Sequence, residues 1–121
     1  MKLEVLPWHL SVCKIDSLKW TELCSKPFFL SRTDNELSLV CLTENVPADV
    51  LNEEKGWRAF RIEGTLDFSM VGVLSKITGI LAGENIGIFA ISTFDTDYIL
   101  VKEKDLESAL TALRDNGYQV L

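Results

Sequence analysis

The sequence predicts an α+β fold in which six elements follow one another as β-α-β-β-α-β, with an antiparallel sheet and both helices on one face. Three observations predict it. Two helix-period apolar patterns are separated by two short β-rich runs in the last 65 residues. The two runs flank a polar hairpin loop. Glycine and asparagine fall where the helices should stop.

Each element has its own reason. Trp57 to Leu66 alternates roughly, with Trp57, Phe60, Ile62 and Leu66 apolar among Arg58, Arg61 and Glu63, which predicts a strand. Asp67-Phe68-Ser69 follows as a turn that can cap a helix. Met70, Val71, Val73, Leu74, Ile77, Ile80 and Leu81 then recur at helical spacing, and Gly83 with Asn85 ends the helix. Ile86 to Ser92 is a short apolar run that reads as a strand. Thr93 to Asp97 is a hairpin loop, and Tyr98 to Val101 is the returning strand. Lys102 to Asn116 carries Leu106, Ala109, Leu110 and Leu113 on one helical face. Gly117 follows, and Tyr118 to Leu121 closes the chain as a last strand. The whole is the ferredoxin-like arrangement.

The first half reads as a trimmed copy. Leu3 to Ile15 is a long strand bent at Pro7, and Asp16 to Ser25 has room for a short helical turn. Phe28 to Arg32 and Leu37 to Leu42 form a hairpin around Thr33-Asp34-Asn35-Glu36, and Pro47 starts a short helix over Val46 to Leu51. The strand from Trp57 can close this first unit and open the second. The division is therefore a degenerate N-terminal unit over residues 1–56 and a complete unit over residues 57–121.

The composition narrows the function. Hydrophobic residues make up 47% and charged residues 25%, which places the chain among globular proteins and not disordered ones. A formal charge of −6 argues against nucleic-acid binding. No apolar run reaches the roughly 20 residues of a membrane span. Glu4, Pro7, His9 and Lys14 interrupt the apolar N-terminus, which makes it a poor signal peptide. Three cysteines without CxxC spacing suggest neither a disulfide framework nor a zinc site. A cytoplasmic protein with free thiols is expected, with no cofactor and no metal.

The connection from Glu63 to Leu74 carries the strongest functional signal. It leads a strand into a helix N-terminus, whose first N–H groups lack intrahelical partners and sit at the positive end of the helix dipole. Such an end suits a small anion such as a carboxylate. Gly72, lacking a Cβ, lets a ligand approach the first turn. The loop Ser92-Thr93-Phe94-Asp95-Thr96-Asp97 adds hydroxyls, carboxylates and one ring. The expected topology puts this hairpin at the far end from the strand-to-helix connection of the same unit. On that reading the two meet only across an interface between units or protomers.

The stretch LDFSMVGVLSKITGILAGENIGIFAISTFDTDYILVKEKDLESALTALRDNGYQV resembles an ACT domain. It is most similar to those of small bacterial tandem-ACT proteins and CASTOR-type cytosolic amino-acid sensors. The strings FAISTFDTDYILVKE and LDFSMVGVL carry the resemblance, over Trp57 to Val120, and the first half matches a shortened N-terminal ACT unit more loosely. The resemblance implies a regulatory module that binds an amino acid at an interface between ACT units. It places the ligand-binding positions on Asp67, Phe68, Ser69, Met70, Val71, Gly72, Thr93, Phe94, Asp95 and Asp97. A homodimer, a regulated protein partner and no catalytic residue are implied with it.

Plainer readings stand beside these. Gly72 can mark close packing, Asp67 a plain N-cap, and Asp95 and Asp97 ordinary turn residues. The alternative function is a ligand-free interaction or dimerisation module. A small enzyme ranks last, because no nucleophile, cofactor motif or metal set accompanies the carboxylates.

Overall fold

The computed structural model describes residues 1–18, 26–64 and 71–121. The short helical turn expected between Asp16 and Ser25 falls mostly outside them. The strands in chain order are β1 (Lys2–Val5), β2 (Leu10–Ile15), β3 (Phe28–Arg32), β4 (Leu37–Leu42), β5 (Asn52–Ile62), β6 (Ile88–Ser92), β7 (Asp97–Lys102) and β8 (Gln119–Val120). The helices are α1 (Val73–Gly83) and α2 (Leu106–Asp115). The chain divides into a C-terminal unit, Met1–Pro7 with Arg58–Leu121, and a middle unit, Trp8–Trp57.

In the C-terminal unit β5 pairs with β7, and β7 with β6. On the other side of β5 lies β1, antiparallel, with Leu3 opposite Ile62 and Val5 opposite Phe60. β8 then pairs with β1, in parallel. The sheet therefore departs from the wholly antiparallel arrangement expected. The expected long strand from Leu3 to Ile15 is two strands, and the first occupies the place between β5 and the closing strand. Leu3 is fully buried there, among Phe60, Ile62, Ile99 and Val101.

Both helices cover the same face of this sheet. Ile77 and Leu81 of α1 and Ala109, Leu110 and Leu113 of α2 share one core with those strand residues. Their three- and four-residue spacing aligns them on one side of each helix. α1 starts later than its apolar pattern suggests. Its N-cap is Gly72, at φ +79°, a conformation that costs a residue with a Cβ about 1–2 kcal/mol. Both helices end in the same way. After α1, Asn85 sits at φ +60°, and the Ile86 N–H donates to the Leu81 carbonyl at 3.0 Å. After α2, Gly117 sits at φ +91°, and the Tyr118 N–H donates to the Leu113 carbonyl at 3.1 Å. Each is a Schellman stop, and each returns an apolar residue, Ile86 or Tyr118, to the core.

In the middle unit β2 lies between β4 and the first part of β5, and β3 pairs with β4, all antiparallel. Among the described residues one core cluster here is Cys13, Ile15, Leu39 and Cys41, flanked by residues such as Phe28, Leu30 and Val50. The helix expected from Pro47 is absent. A 3-10 turn, Thr43–Asn45, comes earlier, and the Val50 N–H closes a single turn on the Pro47 carbonyl at 3.2 Å. Leu51 then bonds to Lys14 at 2.9 Å, so the chain is drawn into pairing with β2 before a helix can extend.

Candidate functional site

β5 ends at Ile62, and the chain turns through Glu63 and Gly64 into residues outside the description. The expected ligand residues Asp67, Phe68, Ser69 and Met70 all lie there. The hairpin between β6 and β7 comes to this same end of the sheet. The buried Thr96 hydroxyl donates to the Ile62 carbonyl at 2.9 Å. This corrects the expected topology. β5 and β7 neighbour each other, and the bond joins the last residue of β5 to the residue preceding β7. The two strands therefore run oppositely, and the end of β5 must meet the hairpin of its own unit.

Arg61, Gly64, Thr93, Asp95, Thr96 and Tyr98 line a hollow of about 270 Å³ at this end. The hairpin is a two-residue turn: the Thr93 N–H donates to the Thr96 carbonyl at 2.8 Å, and the Thr93 hydroxyl to the same oxygen at 2.9 Å. These bonds fix the loop and leave Phe94, 79% exposed, and Asp95 at its tip. Asp97 has a structural task. Its carboxylate accepts a hydrogen bond from the Ser92 hydroxyl at 2.6 Å, across the base of the hairpin.

Arg61 is the cation of the hollow. Its Nε and Nη2 donate to Glu4 Oε1 at 2.8 and 2.7 Å, and its Nη1 to the Tyr98 hydroxyl at 3.4 Å. The Tyr98 and Glu4 hydrogen bonds raise its pKa above the ordinary arginine value. A guanidinium has five N–H donors, so these three bonds orient the group and leave capacity for a carboxylate. The sequence reading missed Arg61 as a ligand candidate. Its signal was a charged residue between the buried Phe60 and Ile62, and only the pairing of β1 with β5 supplies Glu4 to hold it.

Val71 and Gly72 sit elsewhere on the unit. Val71 is 95% exposed. With Lys76 and Tyr118 the two residues line a separate hollow of about 260 Å³. A Cβ on Gly72 would meet nothing within 4 Å, so the positive φ, and not a crowded approach, explains the glycine. The Lys76 ammonium lies 5.9 Å from the Tyr118 ring centroid, within cation–π range. Burial pushes the Tyr118 phenol pKa up.

Cys13 and Cys41 of the middle unit are buried thiols and not reactive groups. Burial pushes the Cys13 thiol up to about 11 and the Cys41 thiol to about 12, and the Glu53 carboxylate adds to both. Glu53 also accepts a hydrogen bond from the buried Ser11 hydroxyl at 2.8 Å. Among the described residues no cluster of three or more His, Cys, Asp or Glu could hold a metal ion. No described helix is long and apolar enough to cross a membrane.

The ACT domain family matches residues 52–115, more than half of the chain. The cytosolic arginine sensor for mTORC1, subunit 1, of Rattus norvegicus is 32% identical over 120 residues, covering 93% of this chain and 36% of the sensor. The chain thus spans about a third of the length of the curated relatives it matches. A crystal structure of a protein from Agobacterium tumefaciens superposes with a TM-score of 0.88 at 32% identity, covering 99% of this chain and 91% of that one. The E. coli aspartokinase III, solved with aspartate and ADP, superposes at a TM-score of 0.66 over 95% of this chain and 32% of its own. Its 15% identity makes that a likeness of fold. With the βαββαβ core and the matched residues in agreement, the chain belongs to the ACT domain family.

Proposed function

We propose that this chain is a non-enzymatic regulatory module that binds an amino acid at the end of its C-terminal unit. One observation carries the reading: a single hollow holds an oriented guanidinium, Arg61, and a carboxylate, Asp95. An α-amino acid presents the complementary pair. Its carboxylate meets the remaining Arg61 donors, and its ammonium meets Asp95. In this reading Asp67, Phe68, Ser69 and Met70 supply further ligand contacts, and Val71, Gly72 and Phe94 meet a second protomer. The exposure of Val71 and Phe94 supports completion of the site by a second copy. The naming of relatives as cytosolic arginine sensors supports an amino acid as ligand, the cytoplasm as location and a regulated protein as partner. The middle unit is read as a degenerate ACT copy, because both hairpins share one register. Along the sequence the division proposed is residues 1–56 and 57–121, with β5 shared between the copies and Met1–Pro7 contributed to the C-terminal unit.

A thermal-shift screen against the twenty amino acids tests the reading. Saturation at about 100 times Kd adds roughly 2.7 kcal/mol, enough to raise Tm by several degrees. The expected result is a selective shift that Arg61→Gln and Asp95→Ala each abolish. A shift that survives both, and also Asp67→Ala and Asp97→Ala, would overturn the assignment. The exposed Val71 and Phe94 also favour a second reading, a ligand-free dimerisation module, which predicts no shift at all.

A further inference from the structure

The hollow beside Lys76 and Tyr118 lies wholly within the C-terminal unit and shares no wall residue with the hollow at Arg61. It brings together the start of α1 and the residues that follow α2. The Lys76 N–H donates to the Gly72 carbonyl at 2.9 Å, which opens the ladder of α1. The N–H groups of Val73, Leu74 and Ser75 therefore precede that ladder and have no partner within the helix. Gly72 has no side chain to cap them, and no acidic residue stands in the first turn. Lys76 adds a full positive charge to this positive end of the helix dipole. Among the described residues it meets no carboxylate, and its ammonium rests over the Tyr118 ring.

Tyr118 supplies a second, independent observation. It is only 8% exposed, yet its hydroxyl makes no hydrogen bond among the described residues. Burial alone raises its pKa. A phenol so enclosed ordinarily has a partner, and this one lines the hollow. Asn116 is already engaged, its side-chain amide donating to the Ala112 carbonyl at 2.8 Å. The described wall holds no carboxylate. What it offers is a set of donors: the first N–H groups of α1, the Lys76 ammonium and the Tyr118 hydroxyl. An α-amino acid would leave its own ammonium unpaired there. A tetrahedral oxyanion has acceptor oxygens for every donor. We propose that this hollow binds the phosphate group of a small phosphate ester. Lys76, the Tyr118 hydroxyl and the first turn of α1 hold the phosphate, and the organic part lies against Met1 and Val73. The Val71 side chain, which the reading above gives to a second protomer, supplies nothing to the anion. The inference is independent of the reading of the Arg61 hollow. Lys76 is exposed, so the affinity belongs in about the millimolar range.

An NMR titration of the full chain with phenyl phosphate and with inorganic phosphate, and with glycine and sodium chloride as controls, tests the site. It is run at constant ionic strength and at about pH 7.5, where a phosphate ester is mostly dianionic. Saturable amide shifts are expected at Val73–Lys76 and Gly117–Tyr118 with both phosphates, at lower concentration with the ester. They should weaken about tenfold in Lys76→Met and about threefold in Tyr118→Phe, which keeps the ring and loses the hydroxyl. They should persist in Arg61→Gln. Equal binding of the two phosphates would overturn the ester in favour of free phosphate. Shifts that do not saturate, that glycine or chloride reproduces, or that Lys76→Met and Tyr118→Phe both leave unchanged would overturn the site. Loss of the shifts in Arg61→Gln would place the anion in the other hollow and overturn it too. The thermal-shift screen with amino acids decides the Arg61 hollow separately.

Discussion

Thr96 joins two strands through its side chain. Its hydroxyl is buried and donates to the Ile62 carbonyl, and that bond ties the hairpin to the end of β5 where the candidate site lies. Valine has nearly the same shape but cannot donate, so Thr96→Val leaves a buried carbonyl short of a partner. The expected loss is about 1–2 kcal/mol in urea unfolding. A loss below about 0.3 kcal/mol would mean that water replaces the hydroxyl. Arg61 shows the complementary case, in which a charged residue is fixed by neighbours far away in sequence. Glu4 and Tyr98 orient it, and neither is recognisable as its partner without the sheet.

Both helices depend on how they stop. α1 and α2 are 11 and 10 residues long, short enough that packing and caps, not propensity, sustain them. Each closes with a left-handed residue that lets the next apolar side chain fold back. Gly117→Ala keeps every contact but forces a Cβ at φ +91°, with open space around it. We expect a loss of about 1–2 kcal/mol by thermal or urea unfolding. Asn85→Gly, at the corresponding position of α1, should be neutral or slightly stabilising, because asparagine already pays part of that strain at φ +60°. Equal effects at the two sites would show that the stops are not equivalent. The β hairpins are governed in the same local way: a two-residue turn sets the register of every pair behind it, which is why the hairpins at Thr33 and Thr93 match.

The buried thiols give the whole chain a pH signature. Cys13 and Cys41 hold their protons more tightly when folded than when unfolded, with folded values of about 11 and 12 against 9.0. A raised folded pKa supports stability below the unfolded value and loses it as pH rises through the folded one. Tyr118 shifts in the same direction. Stability to urea is therefore expected to fall from about pH 9 to about pH 12. Cys41→Ala should flatten that decline, and an unchanged slope in the variant would assign it to other groups.

Much of this protein was legible in its residues because the information is local. The spacing of Ile77 and Leu81, the apolar face of Leu106 to Leu113, the stops at Asn85 and Gly117, and both hairpins follow from chain geometry within a few residues. The helix expected from Pro47 failed because pairing of the following strand with β2 captures that segment, and no local pattern announces it. The hairpin residues of the candidate site could be named from turn chemistry, but Arg61 could not. By itself the sequence determined the ACT-type order of strands and helices and the chemistry carried by each loop. Only the tertiary structure decided that β1 lies between β5 and β8, that the hairpin meets the end of β5, and that Glu4 holds Arg61 in the hollow wall. The reason is that strand pairing joins residues as much as 117 positions apart. Such partners are chosen by burial of shared apolar faces and closure of backbone hydrogen bonds, terms that depend on the whole sheet and leave little trace in local spacing.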